Sequence, residues 1–309
     1  MKIIRWLAIM VLAWGAPMAA IWAQTADGSR EHPLRVILIP ADGGTESGTR
    51  ADFEPVFNAV TRLSGLHFDI KVGQSYGAVV EAMCSKLADV AFMGPVSYVQ
   101  AHQRGCAQLL AVSVERGESV YYAGLFAHLD APISGIADLK GKSVAFGDIN
   151  SASSFTFQMA MILDAGLDPI RDLGAIRMTG SHANSIAALA QNHVDVAALS
   201  FDSYEKAVRE GVVDPARYKV IARSAPIPNP PIAMNTHLPD AIKQRLRAAF
   251  AQVHKAPGIT PDMIRGYGGK RVDSFNTAFS EEEFAGPARK LAEVSDELKG
   301  GLLKKAAAR

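Results

Sequence analysis

Three serines and an asparagine fall within five positions, Asn150-Ser151-Ala152-Ser153-Ser154. Before them, Lys142 to Phe146 reads as a short strand; after them, Phe155 to Leu163 reads as an apolar helix closed by Ala165-Gly166. Strand, polar turn and helix in that order put the hydroxyls at a helix N-terminus. There the first four backbone N–H groups have no intrahelical partner, and the macrodipole adds roughly half a positive charge. A turn of this kind holds an oxyanion without lysine or arginine. A lone serine would be an N-cap and nothing more, but this cluster exceeds what capping needs.

Other polar residues occupy the same kind of place. Ser75-Tyr76-Gly77 and Gly94-Pro95-Val96-Ser97-Tyr98 each open a helix with a tyrosine one residue past a serine. Gly180-Ser181-His182 opens another, and Asp202 follows the strand Val194 to Ser200. Serine and tyrosine hydroxyls together with backbone N–H groups offer mostly donors, which suits a tetrahedral oxyanion. Each residue also has a plainer alternative: a tyrosine that packs, a histidine that is structural, an aspartate that caps the helix at Ser203. Motifs for catalysis are absent, with no Gly-x-Ser-x-Gly, Walker loop, His-Glu-x-x-His or paired carboxylates. His182 has no nucleophile within its motif, and no cysteine–histidine spacing resembles a metal site. No catalytic residue, cofactor or metal is therefore assigned.

The elements that must position these residues alternate strand and helix. Leu34 to Ile39 is a buried strand, followed by the loop Pro40 to Thr49, the helix Asp52 to Ser64 and the strand His67 to Val72. This is a βαβ unit, whose parallel strands bind ligands beyond their carboxyl ends. The loop's Thr45, Ser47 and Thr49 lie at such an end, although surface loops are rich in these residues anyway. A helix from Ala78 to Leu87, the strand Val90 to Phe92 and the strand Leu109 to Glu115 follow. The aromatic strand Val120 to Phe126 then crosses into a second lobe. Ala225 to Pro231 places four prolines in six residues, an extended crossing back that cannot join a sheet interior. The remaining chain reads as helical and charged, with glycines at 266, 268 and 269, and offers no chemistry.

Lys2 and Arg5 precede a largely apolar run, Trp6 to Trp22, with small residues at Ala19, Ala20 and Ala23. That is the layout of a cleaved export signal over residues 1–23; the alternative, a retained anchor, would need about 20 uninterrupted apolar residues. Removing it leaves about 286 residues, more than one core usually holds, so two lobes are expected. The balance of 32 basic and 31 acidic residues shows no basic stripe, which excludes nucleic acid as a partner. The two cysteines, Cys84 and Cys106, close a short loop, and in an oxidising compartment such a pair is expected to be a disulfide. Two buried thiols are the alternative.

Taken in order, Ser75-Tyr76-Gly77, Gly94 to Tyr98, Ile136 to Gly141, Asp148 to Ser154, Ser181-His182 and Pro228 to Ile232 resemble the phosphate/phosphite/phosphonate-binding proteins of ABC importers, a branch of the type II periplasmic binding proteins. The likeness runs from Leu34 to about Val294. It implies an α/β fold of two lobes with the ligand cleft between them. One lobe is discontinuous, residues 34–121 plus 223–309, and the other is 122–222. It further implies that Ser151, Ala152 and Ser153 hold phosphoryl oxygens with Tyr98, Tyr76 and His182, and that Asp202 stands where an acidic residue would meet a ligand amine. Ala152 departs from the family's threonine and Ser154 from its glycine; the backbone donors survive both changes. The expected function is periplasmic capture of a phosphonate, phosphite or phosphate by a monomer that delivers it to an ABC permease in the inner membrane. Alternatives are a receptor that presents its ligand to a membrane sensor kinase and an exported enzyme on the same scaffold.

Overall fold

A computed structural model describes residues 26–40 and 46–308. The export segment and Thr45 lie outside the described residues. The strands in chain order are β1 (Leu34–Leu38), β2 (Phe68–Val72), β3 (Val90–Phe92), β4 (Ala107–Val114), β5 (Val120–Tyr121), β6 (Ala123–His128), β7 (Ser143–Phe146), β8 (Ala175–Met178), β9 (Val196–Ser200), β10 (Tyr218–Arg223), β11 (Ile227–Pro228), β12 (Pro231–Asn235) and β13 (Ser274–Asn276). One sheet has the order β13-β4-β12-β3-β1-β2 and the other β10-β6-β9-β7-β8. In the first, β1 pairs in parallel with β2 and β3. In the second, β7 does the same with β8 and β9. Strands β3, β9 and β12 are buried at every position, as strands covered on both faces must be. The carboxyl ends of β3, β7, β8 and β9 deliver the polar turns that open the helices Pro95–Gln103, Phe157–Asp164, His182–Ala190 and Phe201–Arg209. This α/β architecture of two sheet-centred lobes is the one expected from the sequence.

Three local expectations are corrected. The helix after the first loop begins at Glu46, not Asp52, so Ser47 and Thr49 belong to its first turn. Glu46 there complements the helix dipole. The aromatic crossing divides into β5 and β6, and the proline-rich return joins it: Ile227 pairs with Tyr121 and Pro228 with Val120. Pro231 then starts β12 between β3 and β4, at the first position of the strand, where a missing N–H is tolerated. The prolines therefore take part in pairing at its ends rather than standing outside it.

The chain's last helix, Asp296–Ala307, packs on the second sheet, although residues 223–309 were expected with the first. Val294 and Leu302 are wholly buried among Val144, Phe146, Phe155 and Ile176. Lys305 Nζ also reaches the carbonyls of Ile170 and Leu173. The apolar side chains are the reason: Leu298, Leu302 and Ala306 recur at four-residue spacing and bury one face. The first sheet has its own core, in which Leu34, Phe57, Val60, Phe92 and Phe250 meet. Cys84 and Cys106 are disulfide-bonded, tying the end of the helix Tyr76–Cys84 to the approach to β4.

Candidate functional site

The serine turn is held from behind. Gly147, just past β7, donates its N–H to Ser154 O at 3.0 Å, and a Cβ at position 147 would run into the Ser154 side chain. The turn can thus fold back on the strand end only because residue 147 has no side chain. Ser151 is an N-cap with extended backbone, and its Oγ accepts from Ser154 N at 3.2 Å. One π-turn follows over Ala152–Thr156, in which Thr156 N donates to Ser151 O at 3.0 Å. Such turns widen a helix start and recur at functional sites. The N–H groups of Ala152 and Ser153 open it, at positions without intrahelical partners. Beneath it, Gln158 Nε2 lies 3.1 Å from the carbonyls of both Gly124 and Leu199, fastening the turn to β6 and β9.

Ser153, the second serine, is buried and lies beside Tyr121 of the crossing strand β5. Tyr121 is fully buried, and burial raises its pKa, so the phenol keeps its proton. Ala152 has its methyl in the apolar cluster of the first lobe. The first two serines therefore divide their work: Ser151 builds the turn and Ser153 lies beside Tyr121.

His182 is the first residue of its helix and is 1% exposed. Its Nδ1 accepts from Ser200 N at 3.2 Å, so the ring proton sits on Nε2. Nε2 in turn lies 2.6 Å from the hydroxyl of Tyr267, which also stands 3.3 Å from Ser200 Oγ and Ser203 Oγ. Burial holds the pKa of His182 down at about 3, so the ring is neutral at physiological pH. Tyr267 packs edge-on against Tyr121, with ring centroids 5.4 Å apart. Serine turn, histidine and the two tyrosines thus form one continuous group of neutral donors.

Asp202 does not cap its helix; Ser200 does, by accepting from Ser203 N at 3.0 Å. Asp202 Oδ1 instead receives Lys270 Nζ at 2.8 Å, and Lys270 also pairs with Glu115. The other oxygen, Oδ2, is buried with no hydrogen-bond partner. Burial raises the pKa of Asp202, and the lysine opposes that rise.

The predicted tyrosines behave differently from this group. Tyr98 is buried, but its hydroxyl donates to Glu281 Oε1 at 3.0 Å, and the same oxygen accepts from Leu109 N. Both partners belong to the first lobe, so the Tyr98 hydroxyl is engaged there, while its ring shares an apolar cluster with Ala152. Tyr76 is nearer: its backbone N–H donates to Asp148 Oδ2 at 3.2 Å, across to the second lobe, while its ring packs on Gly94, leaving 3.0 Å for a Cβ there. Asp148 also accepts from Asn150 N at 2.8 Å, and Asn150 Oδ1 receives Gln100 Nε2 at 3.1 Å. The segment before the serines thus clamps two first-lobe helices, one at its first residue and one at its middle.

Sequence reasoning missed Tyr121, Tyr267, Lys270 and Glu115. One signal was available: Tyr267 and Lys270 flank a glycine pair, an aromatic and a cation in a loop without periodicity, where binding residues concentrate. No grouping of histidine, cysteine and acidic residues suited to a metal ion occurs among the described residues, and no helix among them is long and apolar enough to cross a membrane.

Comparison with known proteins gives the family and the fold. Residues 44–276 match the family model for the ABC transporter, phosphonate, periplasmic substrate-binding protein. The phosphate-import protein PhnD of Mycolicibacterium smegmatis is 28% identical over 240 residues, 74% of each chain. A binding protein component of an ABC phosphonate transporter from Pseudomonas aeruginosa superposes with a TM-score of 0.69 at 20% identity, covering 88% of this chain and 98% of its own. PhnD1 of Prochlorococcus marinus, solved in complex with methylphosphonate, gives 0.69 at 17% identity over 84% of this chain and 98% of its own. With three quarters of its length matched, the chain belongs to the family of periplasmic substrate-binding proteins of phosphonate ABC transporters.

Proposed function

We propose that this protein captures a small phosphorus oxyanion, a phosphonate, phosphite or phosphate, in the periplasm and presents it to an ABC permease of the inner membrane. The observation that carries the reading is the convergence of the π-turn at Ala152–Thr156 with neutral His182, Tyr121 and Tyr267, all donors. In this reading the N–H groups of Ala152 and Ser153 and the Ser153 hydroxyl hold the phosphoryl oxygens, the two phenols meet them from the first lobe, and Asp202 Oδ2 accepts the proton that a monoanionic ligand retains. His182 acts by fixing Tyr267. The bond between Tyr76 and Asp148 and that between Gln100 and Asn150 hold the lobes together once they close. The complex of a relative with methylphosphonate supports the ligand class. Export, with removal of residues 1–23, and docking on a permease complete the role.

A thermal-shift panel of phosphite, methylphosphonate, aminoethylphosphonate, phosphate and sulfate tests this directly. A ligand present at about 100 times its dissociation constant adds about 2.7 kcal/mol of stability, several degrees for a protein of this size. At least one phosphorus oxyanion is expected to do so and sulfate is not. If no phosphorus oxyanion shifts the melt at millimolar concentration, the reading fails.

A further inference from the structure

The phosphorus-oxyanion reading leaves open what else the ligand carries, and the cluster around Lys270 bears on that. Lys270 follows the turn Tyr267–Gly269, and its ammonium reaches Asp202 Oδ1 at 2.8 Å as well as Glu115 Oε2. Glu115 lies just past β4 on the first lobe, whereas Asp202 is in the first turn of the helix Phe201–Arg209 on the second. The three side chains are 17%, 25% and 10% exposed for Lys270, Glu115 and Asp202. Asp202 lies between Ser200 and Ser203, whose hydroxyls are both 3.3 Å from that of Tyr267, and Tyr267 in turn bonds to His182 and packs edge-on against Tyr121. The ammonium is therefore a neighbour of the oxyanion site and not a surface charge.

An ammonium on the ligand would have to be matched by a buried carboxylate, because a desolvated cation without a counter-ion is strongly disfavoured. Two carboxylates stand near the serine turn, Asp148 and Asp202. The oxygens of Asp148 accept from Asn150 N and Tyr76 N, which fixes that side chain as a clamp between the lobes. Asp202 already faces the ammonium of Lys270, and Glu115 lies on the other side of the same ammonium. A second cation brought to Asp202 would stand beside a like charge in a poorly screened place.

We infer that Lys270 is a specificity-determining residue: its ammonium holds the position an amino group of the ligand would take, so the cleft takes phosphorus oxyanions with an uncharged substituent and rejects aminoalkylphosphonates. This rests on the proposed function and narrows its substrate class. The free Oδ2 of Asp202 remains for the ligand's own P–OH proton, which a monoanionic alkylphosphonate or phosphite still supplies.

Calorimetric titration of the mature chain with methylphosphonate, phosphate and aminoethylphosphonate, in wild type and Lys270→Gln, tests the inference. Wild type is expected to bind methylphosphonate or phosphate at least tenfold more tightly than aminoethylphosphonate. In Lys270→Gln that ratio should fall at least fivefold, because Asp202 and Glu115 are released for a ligand ammonium; a ratio within one variant is insensitive to a general weakening of closure. A wild-type ratio below tenfold, or a ratio that the substitution leaves in place, overturns the inference. The wild-type arm decides even if the variant does not fold. Tight binding of aminoethylphosphonate by wild type overturns this inference while upholding the phosphorus-oxyanion reading, whereas no binding of any of the three, nor of phosphite, overturns both.

Discussion

The hydroxyl of Tyr267 and Nε2 of His182 meet at 2.6 Å, a contact between residues 85 apart in the chain and on opposite lobes. With Nδ1 engaged by Ser200 N, the ring must donate from Nε2, so the phenol accepts and its own proton is left to point elsewhere. Tyr267→Phe would leave a buried N–H without its acceptor, a loss of about 1–3 kcal/mol. Calorimetry should show the cognate anion bound roughly tenfold to a hundredfold more weakly, with the far-ultraviolet circular dichroism unchanged. Tyr98→Phe is the contrast: its hydroxyl ends on Glu281 inside the first lobe, so melting should fall and affinity stay. Equal affinities for wild type and Tyr267→Phe would separate this bond from ligand capture.

Acid should weaken the fold through His182. Its pKa in the folded protein is about 3 against an ordinary 6.5, because burial disfavours the charged ring. Between those values the unfolded chain binds a proton that the folded one refuses, so stability is full above about pH 6.5 and declines as pH falls toward 3. From pH 7 to pH 5 the loss is about 2 kcal/mol. Asp148 and Asp202 act in the opposite sense, since burial raises their folded-state pKa and protonation then favours the fold. The histidine is isolated by comparison: the melting temperature of His182→Gln should change less between pH 7 and pH 5 than that of wild type. A parallel change in both would show that another group governs the acid limb.

Ser151 and Ser153 should separate stability from binding. Ser151→Ala removes the cap on Ser154 N and should cost about 1 kcal/mol in a denaturant melt. Ser153→Ala removes the hydroxyl proposed to hold the ligand and should weaken binding by roughly 1.5–3 kcal/mol, the range for a hydrogen bond to a charged group, with little change in melting. Affinity unaltered in Ser153→Ala would move the anion away from this turn.

For Asp202→Asn the expectation concerns preference. The amide still fits, but it no longer neutralises Lys270 and accepts a ligand proton less well. Sulfate, which carries no such proton near neutral pH, is then no longer repelled. The cognate anion should bind roughly tenfold more weakly and its advantage over sulfate should shrink. Titrating both anions into both proteins measures this, and an unchanged preference would leave Asp202 with only its ion pair to Lys270.

Loss of the Cys84–Cys106 bond should destabilise the first lobe. Its ends are 22 residues apart, and closing a loop of that size restricts the unfolded chain by about 3 kcal/mol. A Cys84→Ala/Cys106→Ala protein is expected to melt several degrees lower while binding its ligand normally. Identical melts would mean that the helix Tyr76–Cys84 is held by packing alone.

Legibility followed the range of the interactions. The serine turn, the cap at Ser181 and the alternation of strand and helix are written in a few neighbouring residues, and reading those neighbours sufficed. Tyr98 looked like Tyr76 at that range; its fate was decided by Glu281, 183 positions later. Tyr267 and Lys270 sit in a stretch of short turns without helical or strand period, and their meaning lies in His182 and Asp202 on the other lobe. Even the boundary between lobes turned on Leu302, whose burial against Phe146 and Ile176 no local pattern announces.

That last helix also makes the second lobe discontinuous. Val294 and Leu302, far along the chain, complete the hydrophobic core under its central strands. The first sheet likewise takes its strands β12 and β13 from residues after 230. Neither core is therefore built from one contiguous stretch of the chain: residues after the crossing back at 223 complete both.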